Sequence, residues 1–291
     1  MLGRRESGGG AVLCPSCRKL VGAGEPRCPF CGYSRPGSFG VLPLLRRLAG
    51  TFSLWPVVAG GCFLLYIAML AVDPGGLTGG RGGIFGMLSP SLETLVSFGG
   101  SGATPVLRLG RWWTLLSAGW LHANLLHILF NLMAVRQLAP AVEQIYGGSR
   151  SMVIYVISGV AGFLFSTLSP FAPRIVQVVM GGGGGGVTVG ASAAVFGLLG
   201  ALLHFTRAGG NRALGQYLWT WAAGLVVFGL VFPGIDNWAH LGGFLGGLGL
   251  AAMLDARRPE RPLHVGLAAL CLAASVAAVL WSVVTAAAIW R

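Results

Sequence analysis

"TVGASAAVFGLLGALLHF", residues 188–205, sets one hydroxyl, Ser192, near the top of an otherwise apolar run. Gly190, Ala191, Ala193 and Ala194 crowd around it. Small-residue helix faces in membranes routinely carry serine, so the stretch alone leaves two readings open. Ser192 is either a packing residue or a nucleophile, and the choice depends on what shares its depth in the chain.

The composition sets that depth in a bilayer. Of 291 residues, 54% are hydrophobic and only 10% charged, with a mean hydropathy of +0.75. A soluble domain of this length needs far more charge to cover its surface. A span takes about 20 mostly apolar residues. Seven segments qualify, near 55–73, 121–142, 151–169, 189–206, 214–232, 237–254 and 264–288. The expected fold class is therefore an all-α polytopic membrane protein. The connection 74–120 is Gly-rich and holds the amphipathic pieces "SPSLETLVSF" and "RLGRWWTLL". Trp112 and Trp113 suit the headgroup region, so this loop is expected to dip into the outer leaflet. "MGGGGGG", Met180 to Gly186, reads as a flexible hinge before the Ser192 span.

The net charge of +12 is a topology signal rather than a nucleic-acid footprint. With the N-terminus inside, fifteen Lys and Arg fall on inner segments and five on outer ones. That is the positive-inside bias, giving N-terminus in and C-terminus out. A polar, cysteine-bearing segment precedes the first apolar run, which does not fit a secretory signal peptide.

"CPSCRKLVGAGEPRCPFCGY" places Cys14, Cys17, Cys28 and Cys31 as two CxxC knuckles. Two knuckles close a tetrahedral four-thiolate site, and the spacing resembles a zinc ribbon. A pair of disulfides is the other possibility, and the cytoplasmic side argues against it. The expected zinc is structural, since four protein ligands leave no open position. The expected divisions are a ribbon over 1–36, a basic linker over 37–54, a six-span core over 55–255, and a loop with a seventh span over 256–291.

Polar groups at membrane depth are costly and mark candidate sites. The second span opens "WLHANLLHILFNLMAV", with His122, His127 and Asn131. The fourth opens with Ser192, and the sixth opens "DNWAHLGGFLGGLGL", with His240. All three spans run in one direction, so the three clusters fall at one depth. His127 and Asn131 are four apart on one helix face, as are Ser192 and Phe196. Gly243 and Gly247 form a glycine pair that lets two backbones approach, which would carry His240 to Ser192. A serine becomes a useful nucleophile beside a base, and neutral imidazole is such a base near pH 7. His127 and Asn131 can donate to a developing oxyanion. For His122, a structural bond pinning the first loop and a substrate contact are equally open. Asp236 is expected to cap the His240 helix rather than orient the imidazole. Glu143 is expected to make structural hydrogen bonds after the second span.

"HANLLHILFN", "GASAAVFG" and "AHLGGFLGG", in this order and each in its own span, resemble the signature set of rhomboid intramembrane serine proteases. "PAVEQIYG" and "LVSFGGSGATPVLRLGRWWTLL" extend the similarity over about residues 55–255. The resemblance implies a rhomboid-like six-helix core plus a seventh span. It implies a Ser192–His240 dyad, oxyanion assistance from His127 and Asn131, and Phe196 packed on the imidazole. No cofactor is implied for catalysis. The implied partners are the bilayer and single-span membrane protein substrates cut near the outer face, in what would be a bacterial plasma membrane. Two positions depart from the family pattern. Ala193 stands where glycine usually follows the serine, and Thr114 where arginine usually follows the loop tryptophan. An inactive rhomboid-like protein that binds transmembrane helices is the alternative.

Overall fold

The computed structural model describes residues 11–14, 17–22, 24–33, 53–78, 86–180, 186–209, 212–232, 234–256, 258 and 260–286. Most of the linker 37–54 and of the glycine run 180–186 lies outside the described residues. The chain divides into two units, residues 1–52 and 53–291.

The first unit is built on a hairpin. Strands β1 (Ala11–Leu13) and β2 (Leu20–Gly22) pair antiparallel, with Val12 opposite Val21 and Leu13 opposite Leu20. Alternation along the strands then sorts the side chains. Val21 joins Cys14 and Cys28 in a small buried core, with Val12 and Cys17 against it, while Leu13 and Leu20 face outward.

The second unit is helical. Its long elements are α1 (Leu54–Val72), α3 (Leu125–Tyr146), α4 (Gly148–Leu168), α5 (Ser192–Gly209), α6 (Arg212–Val231), α7 (Asn237–Met253) and α8 (Pro262–Ala286). A short α2 (Leu92–Phe98) lies between α1 and α3. Five of the seven expected spans form helices long and apolar enough to cross a membrane by themselves: α1, α3, α4 with its extension to Phe171, α6 and α8. The Ser192 helix is a shorter apolar helix, and the His240 helix has 17 residues. Both pack on α4 and on each other, so protein rather than lipid covers much of their length.

Capping explains where observed starts differ from expected ones. The span expected at 121 begins at Leu125, because the Asn124 side chain accepts the His127 N–H at 2.8 Å as an N-cap. The span expected at 189 begins at Ser192, because Thr188 is held in a strand-like bridge and Gly190 takes a positive φ. Ser101 and Thr188 pair there as an isolated antiparallel bridge. Glu143 accepts hydrogen bonds from the Leu54 N–H and the Ser53 hydroxyl, tying the start of α1 to the end of α3. It serves structure, as its sequence position implies.

The long first loop is more ordered than a dipping loop requires. After α2 it makes a π-turn at Thr104–Arg108, a helical turn at Thr114–Ser117 and a 3-10 turn at Ala118–Trp120. Trp112 is 52% exposed, as an interfacial tryptophan would be. Trp113 is only partly exposed. It turns inward and donates its indole N–H to Ser282 Oγ at 2.9 Å, because that hydroxyl offers an acceptor inside the fold.

Candidate active site

The start of α5 is assembled from both sides. Gly190 has φ +125°, a conformation that favours glycine. A Cβ there would stand 2.5 Å from His127 Nε2 and 3.8 Å from Asn131 Nδ2. Gly190, two residues before the candidate nucleophile, therefore lies against the two expected oxyanion donors, and only glycine leaves room for them. Ala191 N–H points to His122 Nε2 at 3.5 Å. His122 is fully buried and stacks edge to face on His127, with centroids 5.1 Å apart. It accepts from the backbone entering α5.

Helix α7 brings the imidazole. Asp236 caps it, accepting the Ala239 N–H at 3.0 Å and the Ser166 hydroxyl. Gly243 and Gly247 then let α7 lie on α5: a Cβ on Gly243 would overlap the Ala193 carbonyl, and one on Gly247 the Gly197 backbone. At that separation His240 Nε2 lies 2.9 Å from Ser192 Oγ. Phe196, one turn below the serine, stacks on the ring with centroids 4.2 Å apart and planes 15° apart. His240 Nδ1 has no hydrogen-bond partner among the described residues. The Asp236 carboxylate is engaged elsewhere, so the pair has no acidic third member among them.

The donor helix is oriented by its own cap. Asn131 donates one amide hydrogen to the His127 carbonyl at 2.9 Å, leaving a second hydrogen free by valence. His127 Nδ1 faces the Ala123 N–H at 3.4 Å. An acceptor at Nδ1 assigns the ring proton to Nε2, the nitrogen beside Gly190.

Ala193 is 1% exposed, and its methyl belongs to a cluster with Ala118, Phe163 and Ala239. A Cβ on Gly162 would meet the Ala193 Cβ at 2.7 Å and the Ala239 carbonyl at 2.5 Å. The methyl is thus packed against α4, Ala118 and Ala239. Gly162 carries no mark in the chain itself, since its role exists only across the α4–α5–α7 junction. Arg111 is a second residue that sequence reasoning misses. Its guanidinium, 3% exposed, donates to the Val96 carbonyl at 2.8 Å and the Ser282 carbonyl at 3.1 Å. It supplies a buried loop guanidinium two residues before Trp113, whereas Thr114 donates to the Arg111 carbonyl at 2.7 Å.

In the first unit the two knuckles repeat one geometry. Cys14 N–H donates to the Lys19 carbonyl and Arg18 N–H to the Cys14 carbonyl. Cys28 N–H donates to Tyr33 and Gly32 N–H to Cys28 in the same way. Arg18 (φ +59°) and Gly32 (φ +72°) hold equivalent left-handed positions. The four sulfur atoms lie within 4.8 Å of one another. The Cys14–Cys31 and Cys17–Cys28 separations are both 3.6 Å, with all four thiols unbridged. A tetrahedron with metal–sulfur bonds of about 2.3 Å has sulfur–sulfur edges of about 3.8 Å. The Tyr33 backbone amide, ahead of the neighbouring cysteines, pulls the Cys31 thiol down to about 6. These four residues could hold a metal ion.

Residues 109–257, half of the chain, match the model of the Rhomboid domain. Rhomboid protease GluP of Bacillus subtilis (strain 168) is 35% identical over 174 residues, covering 57% of this chain and 30% of that protein. RHOMBOID-like protein 4 of Arabidopsis thaliana is 33% identical, covering 59% and 41%. Inactive RHOMBOID-like protein 8 of Arabidopsis thaliana is 32% identical, covering 55% and 43%. The matches span between 30% and 43% of the length of these relatives. With its apolar helices and a family match that contains the whole Ser192–His240 site, the chain is an integral multi-pass membrane protein of the rhomboid family.

Proposed function

We propose that the protein is an intramembrane serine endopeptidase with a Ser192–His240 dyad. The observation that carries this reading is the 2.9 Å approach of Ser192 Oγ to His240 Nε2, backed by the Phe196 ring. Ser192 Oγ attacks the scissile carbonyl carbon while His240 Nε2 takes its proton. The carbonyl oxygen becomes an oxyanion beside Gly190, where His127 Nε2–H and the second Asn131 hydrogen donate to it. Collapse expels the amine, which takes the proton from His240 and leaves an acyl group on Ser192. Water then attacks that ester with His240 again as base. Without a carboxylate on Nδ1, stacking on Phe196 is what keeps the imidazole in plane.

The substrate is a transmembrane protein whose helix unwinds locally, because a hydrogen-bonded helix does not present its carbonyls for attack. Cleavage falls near the outer face of a bacterial plasma membrane if the charge bias sets the N-terminus inside. The four cysteines hold a structural zinc ion in a cytoplasmic ribbon, with no role in the bond-breaking steps.

A fluorophosphonate probe and a panel of single-span substrates in detergent test the reading. Wild type should be labelled at Ser192 and should cleave at least one substrate. Ser192→Ala and His240→Ala should each abolish cleavage, since the two act as one unit. Asn131→Ala should keep the fold and slow single-turnover cleavage; removing one oxyanion donor in a soluble serine protease costs on the order of 10²–10³. A well-folded wild type that neither reacts nor cleaves would move the protein to the inactive, helix-binding alternative.

A further inference from the structure

The last span reaches the candidate site at second hand. Ser282 lies near the end of α8, and three groups of the first loop converge on it. Trp113 donates its indole N–H to the Ser282 hydroxyl at 2.9 Å, and Arg111 donates to the Ser282 carbonyl at 3.1 Å. The other arm of the guanidinium holds the Val96 carbonyl at 2.8 Å. Trp113 also meets Trp281 edge to face, with centroids 6.2 Å apart. Gly99 closes the remaining side: a Cβ there would stand 2.6 Å from Ser282 Oγ.

The loop held in this way then holds the stretch that enters Ser192. The Gly99 carbonyl accepts the Ser117 hydroxyl at 2.8 Å. The next residue, Ala118, offers its carbonyl to the Gly190 N–H at 2.9 Å. Ser101 and Thr188 exchange backbone hydrogen bonds of 3.0 and 2.7 Å. The glycine seam fixes α5 along its length, but its first turn depends on residues 188–191 for placement, and those residues hang on the loop.

We propose that Ser282 and Arg111 are positioning residues: the seventh span, by clamping the first loop, sets where Ser192 stands relative to His127 and His240. The catalytic consequence rests on the dyad reading above. The mechanical part does not, because it concerns the backbone at Thr188 and Gly190 whatever Ser192 does.

The test uses the full chain with Ser282→Ala, Trp113→Phe and their double variant, plus Arg111→Lys as an independent break. The first readout is amide hydrogen exchange at Thr188 and Gly190. Interhelical hydrogen bonds in membrane proteins are each worth roughly a factor of three, so each single variant should exchange at least about threefold faster there. The double variant should add little to either single one, because both remove the same bond. The second readout is the rate of fluorophosphonate labelling at Ser192 and the split between kcat and KM. Labelling and kcat should fall together, roughly three- to tenfold, with KM nearly unchanged. Wild-type exchange at Thr188 and Gly190 in folded variants would overturn the proposal, as would strictly additive effects. If wild type is never labelled, the dyad reading fails and the exchange comparison alone decides the clamp. If Ser282→Ala does not fold, exchange in Trp113→Phe and Arg111→Lys decides it instead, by the same criterion.

Discussion

Ala193 shows how much a single residue's meaning depends on its neighbour across the interface. In the sequence it is a methyl where the family has hydrogen, close to an oxyanion site. In the fold that methyl sits in a closed cluster with Gly162, Phe163, Ala118 and Ala239, which holds neither His127 nor Asn131. Restoring glycine should therefore leave kcat within about twofold of wild type. It should lower stability by roughly 1 kcal/mol, from backbone entropy and a lost methyl contact. The opposite change is harsher. Gly162→Ala places a Cβ 2.5 Å from the Ala239 carbonyl, and backbone cannot yield as a side chain does. Its thermal midpoint and its cleavage rate should both drop, with His240 displaced from Ser192. A rate gain of about tenfold in Ala193→Gly would show that the methyl crowds the reacting atoms after all.

At the scale of elements, the seam between α5 and α7 is made of absent side chains. Gly247→Ala puts a methyl into the Gly197 backbone, so the helices must separate. Because Ser192 and His240 meet across this seam, fluorophosphonate labelling should disappear even though neither residue of the proposed dyad is changed. Gly249→Ala, on the same helix with open space around it, should label as wild type. Equal labelling of the two variants would detach the seam from the site. Much of this was legible in the sequence. Gly243 and Gly247 are four apart, and His240 sits one turn above Gly243, so spacing alone aims both at one neighbour. Ser192 and Phe196 are read in the same way. The partner on α4 was not legible, because Gly162 lies in a span whose apolar run carries no periodic mark. The first loop was least legible of all. Arg111 and Ser282 are 171 residues apart, and a donor in a loop and its acceptor in a distant span leave no pattern in either.

At the scale of the whole molecule, two units with different chemistry share one chain. If zinc holds the ribbon, the purified protein should carry about one equivalent, lost in the Cys14→Ser, Cys17→Ser double variant. Substrate cleavage in detergent should largely persist, since the proposed mechanism uses no thiolate. Metal-free wild type with four intact thiols would refute the ribbon. The orientation is tested by a membrane-impermeant maleimide on a cysteine-free background. It should reach a cysteine placed at Gly186 from outside, and one placed at Arg258 only after permeabilisation. Reversed labelling would move the proposed cleavage to the other face. The glycine seam bears finally on biogenesis. Ribosomes deliver α5 to the membrane before α7 has been made, and α5 is a shorter apolar helix than the five long spans, with its small-residue face still bare. Of the helices it packs on, only α3 and α4 precede it in the chain, and α7 comes last. Ser192 and His240 can therefore meet only after five of the seven long helices have been made, so the proposed dyad is completed late in synthesis.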